Sequence, residues 1–280
     1  MLQVRLDPGL PAGRWACVRP LCGHDEQALV AGGGLAATEL LDRLLVEVPG
    51  TCVGPGSAWQ LSVCDRDRLL AGVYAATFSD RIDTEVPCDH CDEGTAVSFS
   101  LAAMVASSQP SNEGRTQLGI ISGPDDGCVY ELDDGIRFRL PNGHDQREVA
   151  GLDPERARVE ILRRCVLDGS EADRRTVGDM PTEVWDRVEA AMAYLGPTVD
   201  HELMIACHEC GEARAVRFDI QQYLLRALEQ ERRYLTQEIH YLACSYGWSQ
   251  AEILGLSRDD RRAYVEFITA ERAARRERTR

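Results

Sequence analysis

The feature that most constrains this chain is a pair of Cys-x-x-Cys motifs, Cys88-Asp-His-Cys91 and Cys207-His-Glu-Cys210, each set between two short strand-like segments. Two residues between cysteines let a tight turn aim both thiolates at one ion, and zinc takes four ligands in a tetrahedron at ~2.3 Å. Each motif supplies half a site, so Cys88, Cys91, Cys207 and Cys210 make one complete four-thiolate set. The halves are distant in sequence, but their surroundings repeat. Ile82…Val86-Pro-Cys88…Val97-Ser-Phe99-Ser-Leu101 is echoed by Leu203…Ala206-Cys207…Val216-Arg-Phe218-Asp-Ile220. Both copies read as strand, motif, strand, helix, and both follow a helix. The expectation is a duplicated unit whose two copies share one structural Zn²⁺.

Three alternatives stand beside the shared zinc. Both turns can be reduced and metal-free. Each motif can recruit its own ion with help from His90 or His208. A redox dithiol is the third, but that motif normally opens a helix, which lowers the thiol pKa, whereas here each lies between strands. Gly211 follows the second motif as in a zinc ribbon, while Asp92 stands in the same place after the first. Cys17, Cys22 and His24 form a weaker half-site, and Cys52, Cys64, Cys128, Cys165 and Cys244 read as small packing residues.

The 280 residues carry 46 acidic and 31 basic side chains, every basic one an Arg, for a net charge of −15. Phosphate contacts need a positive face, so this balance disfavours a general nucleic-acid binder. No apolar run approaches the ~20 residues that span a bilayer. The N-terminus shows no charged segment followed by an apolar one, so the expected location is cytoplasmic, with no membrane partner. Eleven cysteines, an odd number, then speak for reduced thiols and metal rather than a disulfide framework.

The pattern predicts an α+β protein, a mostly helical body carrying two strand–CxxC–strand units and ending in a helical segment. Residues 1–110 form an N-terminal unit with the first motif, 111–180 a linking hairpin and helix, 181–247 the second motif and a long helix, and 248–280 the C-terminal helices. Strands are expected at 2–6, 82–86, 96–100, 128–132, 136–140, 199–205 and 214–218. The middle pair of these is joined by the hairpin signal Asp133-Asp-Gly. Helices are expected over 25–31, 35–46, 66–78 with Asp65 as cap, 154–167 opened by Pro154, and 181–195. The longest spans 219–245, with Ile220, Leu224, Leu228, Leu235 and Ile239 at 3-and-4 spacing and Gly247 as its stop. Residues 107–127 read as loop and 168–179 as an exposed polar stretch. Ser249-Gln-Ala-Glu252 and Ser257-Arg-Asp-Asp260 resemble capping boxes for two last helices, beyond which the five Arg of 271–280 fray.

No catalytic pattern emerges: there is no GxxxxGK, GxSxG or HExxH, and the reading is non-enzymatic, without a small-molecule substrate. The C-terminal helices imitate a helix-turn-helix with Arg258, Arg261 and Arg262, so a zinc-ribbon nucleic-acid adaptor or regulator is the alternative function. Trp248, Tyr264 and Phe267 beside these arginines are candidates for a partner-binding surface.

Several stretches together resemble a known family. They are Leu61-Ser-Val-Cys-Asp-Arg-Asp-Arg-Leu-Leu70, Thr77-Phe-Ser-Asp-Arg-Ile82, the two CxxC units, and Tyr246-Gly-Trp-Ser-Gln-Ala-Glu-Ile-Leu254 with Arg261-Arg-Ala-Tyr-Val265. They look like the baseplate and hub-assembly proteins of T-even-type phages, contractile tails and extracellular contractile injection systems. The resemblance runs from about residue 19 to 268. Cys64 stands where that family usually has Gly, and 168–180 looks like a local insertion. The resemblance implies a structural protein or assembly chaperone whose partners are other baseplate and hub proteins.

Overall fold

The computed structural model describes residues 1–11, 13–28, 35–49, 53–167 and 181–278, and it is an α+β fold of small antiparallel sheets on a mostly helical body. Its first half begins with β1 (Leu2–Leu10), β2 (Gly13–Val18) and the edge strand β3 (Leu45–Val46), with α1 (Gly23–Ala28) and α2 (Ala36–Leu44) between the last two. Then come α3 (Val63–Thr77), the hairpin β4 (Arg81–Pro87) and β5 (Gly94–Ser100), and α4 (Leu101–Ser107). The second half is built of similar pieces, with the three strands of its sheet following one another without a helix between them. After α5 (Asn112–Gln117) it has a sheet of β6 (Ile120–Ser122), β7 (Val129–Leu132) and β8 (Arg137–Arg139), then α6 (Gly143–Val149), α7 (Pro154–Cys165) and α8 (Thr182–Leu195). The hairpin β9 (Asp200–Ala206) and β10 (Ala213–Asp219) runs into α9 (Ile220–Tyr246), followed by α10 (Gln250–Gly255) and α11 (Arg258–Arg278).

Three apolar cores hold these elements. The first packs the β1–β3 sheet, α2 and α3 against Phe218, Ile220, Leu224 and Leu228, so the start of α9 lies in the core of the first half. The second gathers Tyr130, Leu132 and Phe138 with Leu162, Cys165, Val188 and Leu195. A small third core joins Leu242 of α9 to Ile253 and Ile268.

Several local expectations change. Asp65 does not cap α3. Ser62 does, its hydroxyl accepting from the Asp65 amide at 3.3 Å, and the helix starts three residues earlier than its apolar stripe suggested. The Ser/Gly/Pro-rich 107–127 holds a helix and a strand, because Ser111 caps α5 and Ile120 is buried against the second core. Asn142 and Asp145 form a capping box for α6, a helix for which the sequence pattern carries no expectation. The arginine-rich end does not fray where expected, since α11 continues to Arg278. The polar stretch 168–179, Cys52 and the end of the helix expected over 25–31 fall outside the described residues.

The duplication goes beyond the CxxC motifs. β4–β5 and β9–β10 have the same register: Ile82 faces Phe99 and Pro87 faces Gly94 in one, His201 faces Phe218 and Ala206 faces Ala213 in the other. Ser100 and Asp219 then cap the following helices from equivalent places. Upstream, Arg19 clamps Asp25 at 2.6 and 2.9 Å, and Arg139 clamps Asp145 at 2.6 and 2.9 Å. The second amino group of each arginine also donates to a helix-end carbonyl, Arg43 in one half and Arg164 in the other.

These clamps carry a pH signature. Burial works to raise the Asp145 pKa, but the Arg139 guanidinium and the Asn142 amide outweigh it and hold the carboxyl below its usual range; Asp25 is held down in the same way by Arg19 and the Cys22 amide. A depressed carboxyl pKa stabilises the fold above the unfolded-chain value, and the gain disappears as pH falls through the folded value. Urea unfolding should therefore show stability falling below about pH 4. Asp145→Asn should lose about 3 kcal/mol at pH 7, since it leaves Arg139 uncompensated, and its stability should respond less to acid than wild type.

Candidate metal centre

The turn between β4 and β5 and the turn between β9 and β10 meet at their tips. There the four cysteine sulfurs lie within 4.8 Å of one another. Cys88 is 3.7 Å from Cys210, and Cys91 is 3.7 Å from both Cys207 and Cys210. A tetrahedron of thiolates at ~2.3 Å from a central ion has sulfur–sulfur edges of ~3.8 Å. The four side chains are thus spaced for one metal ion, and the sequence-predicted set Cys88, Cys91, Cys207 and Cys210 is brought together whole. Neither His90 nor His208 belongs to the group; His208 is exposed and pairs with Glu209 at 3.3 Å.

The backbone of the two turns explains how each delivers two sulfurs. In the first, the Cys88 amide donates to the Glu93 carbonyl at 2.9 Å and the Asp92 amide to the Cys88 carbonyl at 3.0 Å. In the second, Cys207 donates to Glu212 at 2.8 Å and Gly211 to Cys207 at 2.9 Å. The closing residue is left-handed in both, with φ of +58° at Asp92 and +75° at Gly211. A left-handed backbone suits glycine, and among other residues Asp and Asn bear it best, which is why Asp92 can stand where the ribbon pattern has Gly.

The hairpins also touch away from the sulfurs. The equivalent residues Phe99 and Phe218 meet edge to face at 5.0 Å, and Arg214 crosses to the first turn, donating to the Pro87 carbonyl and the Asp89 carboxylate at 2.6 Å each. Cys88 and Cys207 are buried, Cys91 is half-buried and Cys210 exposed, so the cluster sits at the protein surface.

Electrostatically the cluster favours a cation. The amides of Cys210 and Glu209 point at the Cys207 sulfur and bring its pKa down to about 6. At Cys91 the Glu93 amide pulls downward, but desolvation and the three neighbouring sulfurs prevail and push the thiol up to about 12. One thiolate forms readily, and further negative charge in the same space is resisted until a cation balances it.

Outside the cluster, Cys17, Cys64 and Cys165 are buried as packing residues, whereas Cys244, expected to pack, is exposed with its sulfur 3.8 Å from His240. Cys17, Cys22 and His24 do not assemble into a metal group among the described residues. Tyr246 stacks on Trp248 at 4.9 Å, and Tyr264 meets Trp248 edge-on at 5.1 Å, over the small third core. Phe267, three residues on from Tyr264 in α11, is 70% exposed. Sequence reasoning missed the buried arginines Arg66 and Arg261, each fully enclosed. Their signal was a repeated string, Leu61-Ser62…Asp65-Arg66 and Leu256-Ser257…Asp260-Arg261.

Among the described residues no helix is long and apolar enough to cross a membrane. No family model matches this chain, and no curated protein or solved structure shows significant similarity to it.

The left-handed turn residues give a direct test. A side chain at Gly211 would meet nothing within 4 Å, so substitution there reports backbone strain alone. Gly211→Val should lower the stability of the metal-loaded protein by about 1–2 kcal/mol, and Asp92→Gly should leave it unchanged or higher, both read from thermal unfolding.

Proposed function

We propose that this protein is a non-enzymatic structural or assembly component of a contractile-tail baseplate, stapled by a structural zinc. The observation that carries the structural part is the closed set of four thiolates at tetrahedral spacing. Four sulfurs around zinc leave no open position for a water or substrate, and thiolate-only sites of this kind stabilise folds rather than run reactions. Cys88, Cys91, Cys207 and Cys210 would hold the ion, and the ion would tie the two duplicated hairpins together.

The baseplate assignment rests on the sequence stretches around Leu61–Leu70 and Tyr246–Leu254, and the fold gives those stretches structural work. Leu61 and Ser62 open a buried helix junction, and the Tyr-Gly-Trp-Ser stretch builds the exposed aromatic surface. Exposed aromatics beside arginines are typical anchors for protein partners. The nucleic-acid alternative loses support, because Arg258 and Arg262 are paired with Glu231, and Arg261 with Glu26 and Glu238.

The test is co-purification of the tagged full chain with sheath, tube and hub proteins of a contractile tail. Wild type should retain baseplate proteins. Phe267→Ala, at a side chain 70% exposed, should lose at least tenfold of that binding, as expected for a hot-spot anchor worth ~2 kcal/mol or more, while zinc content and thermal stability hold. Truncation before Ser249 is a poorer probe, since it would strip the buried Glu26 and Glu238 of Arg261. Wild type that captures no baseplate protein, or normal tails in cells lacking it, removes the assignment.

A further inference from the structure

Each half of the chain contains the same socket, and each socket holds the same kind of plug. The sockets are the starts of α1 and α6, Cys22-Gly-His-Asp-Glu26 and Asn142-Gly-His-Asp-Gln146. The plugs are the starts of α11 and α3, which share Leu-Ser-x-x-Asp-Arg. In both plugs the serine caps its helix and bonds the aspartate, Ser62 to Asp65 at 3.0 Å and Ser257 to Asp260 at 2.6 Å. Short antiparallel bridges join plug to socket, Ser62 with Asn142 and Ser257 with Cys22. The amides of Val63 and Arg258 donate to the Pro141 and Leu21 carbonyls at 3.0 and 3.2 Å.

The arginine completes each match. Arg66 reaches Gln146, and Arg261 reaches Glu26 at 2.6 Å. Socket glycine is needed for the close approach. A Cβ on Gly143 would stand 3.1 Å from the Trp59 backbone, and one on Gly23 would stand 2.7 Å from Leu254 Cδ2 and 2.9 Å from its Cα.

The pairing is crossed. The first half's plug fills the second half's socket, so the chain already exchanges this contact between its two copies. The two plugs differ in how firmly they are built in. α3 belongs to the large first core, with Leu69 and Leu70 among its buried residues. α11 belongs to the third core, whose fully buried members are Leu242, Ile253 and Ile268. Small, separately cored segments open at lower free energy than the body, and exchanging an identical element between copies recreates the same contacts at low cost.

We propose that the first socket, around Gly23 and Glu26, also accepts α10 and α11 from a second copy of this chain, so that exchange of the tail joins copies into dimers. The tail meets the same partners in either arrangement: Glu26 in the socket, Glu231 and Glu238 on α9, and the third core. The closed single chain dominates when its own plug is at hand, and exchange appears when that internal contact is blocked or the chain is concentrated.

Two full-length variants test this. Gly23→Val blocks the socket and keeps a good plug. Arg261→Ala spoils the plug and keeps a good socket. Each alone should be monomeric by light scattering, and a mixture should form a one-to-one dimer, because the intact plug of the first fits the intact socket of the second. A mixture that stays monomeric while both variants keep native circular dichroism overturns the proposal. If either variant fails to fold, hydrogen exchange on wild type decides instead. The amides of Leu256–Arg261 should exchange at least tenfold faster than those of Leu69 and Leu70, and equal protection, meaning that the tail opens only with global unfolding, overturns it.

Discussion

Two turn tips that each place two sulfurs within reach of a common centre govern the arrangement of this protein. The sulfur–sulfur spacing of 3.7 Å between Cys88 and Cys210, and between Cys91 and Cys207, links segments from opposite halves of the chain. The rest of the contact between halves is arranged around that point. Phe99 and Phe218 touch behind the cysteines, and the helix that follows the second hairpin sends Ile220, Leu224 and Leu228 into the core of the first half. A metal held at the tips would therefore act on a joint that apolar packing has already aligned. Its loss should loosen the joint and leave the cores formed, because a chain of this size buries enough surface without it.

Buried charge is the second organising element. α3 carries Asp65-Arg-Asp-Arg68, four charged residues in a row, and all four are buried. Each finds partners from distant segments. Asp65 accepts from the Asp7 and Gly9 amides at 2.6 and 2.8 Å, and Asp67 accepts from the Val199 amide and the Gln221 side chain at 2.9 Å each. Such groups are costly to bury unpaired and specific once paired. They fix α3 against β1 on one side and against the start of β9 on the other, so this helix registers the two halves.

The parts legible in the sequence were those whose cause is local. The CxxC spacing, Pro154 at a helix start, the Ser249/Glu252 box and the Asp133-Asp-Gly turn each carry their structural reason within a few residues, and each appears in the fold. The parts not legible depend on distant partners. α6 is short and polar, so it shows no apolar period, and it exists because Asn142 and Asp145 cap it and Arg139 and Arg164 hold Asp145. Arg66 and Arg261 look like surface residues until the sockets that receive them are seen. The repeated strings around them were present in the sequence, but short polar repeats gain meaning only when the fold lays them side by side.

We propose that one metal ion, bound by four sulfurs from both halves, joins the duplicated hairpins. X-ray absorption at the zinc edge on the purified, zinc-loaded protein tests it most directly. A shared ion gives one zinc per chain with a shell of four sulfurs at ~2.3 Å, and loss of that shell when Cys207 alone is replaced by Ser. A shell containing nitrogen or oxygen, two zinc ions per chain, or a four-sulfur signal that survives Cys207→Ser would contradict it.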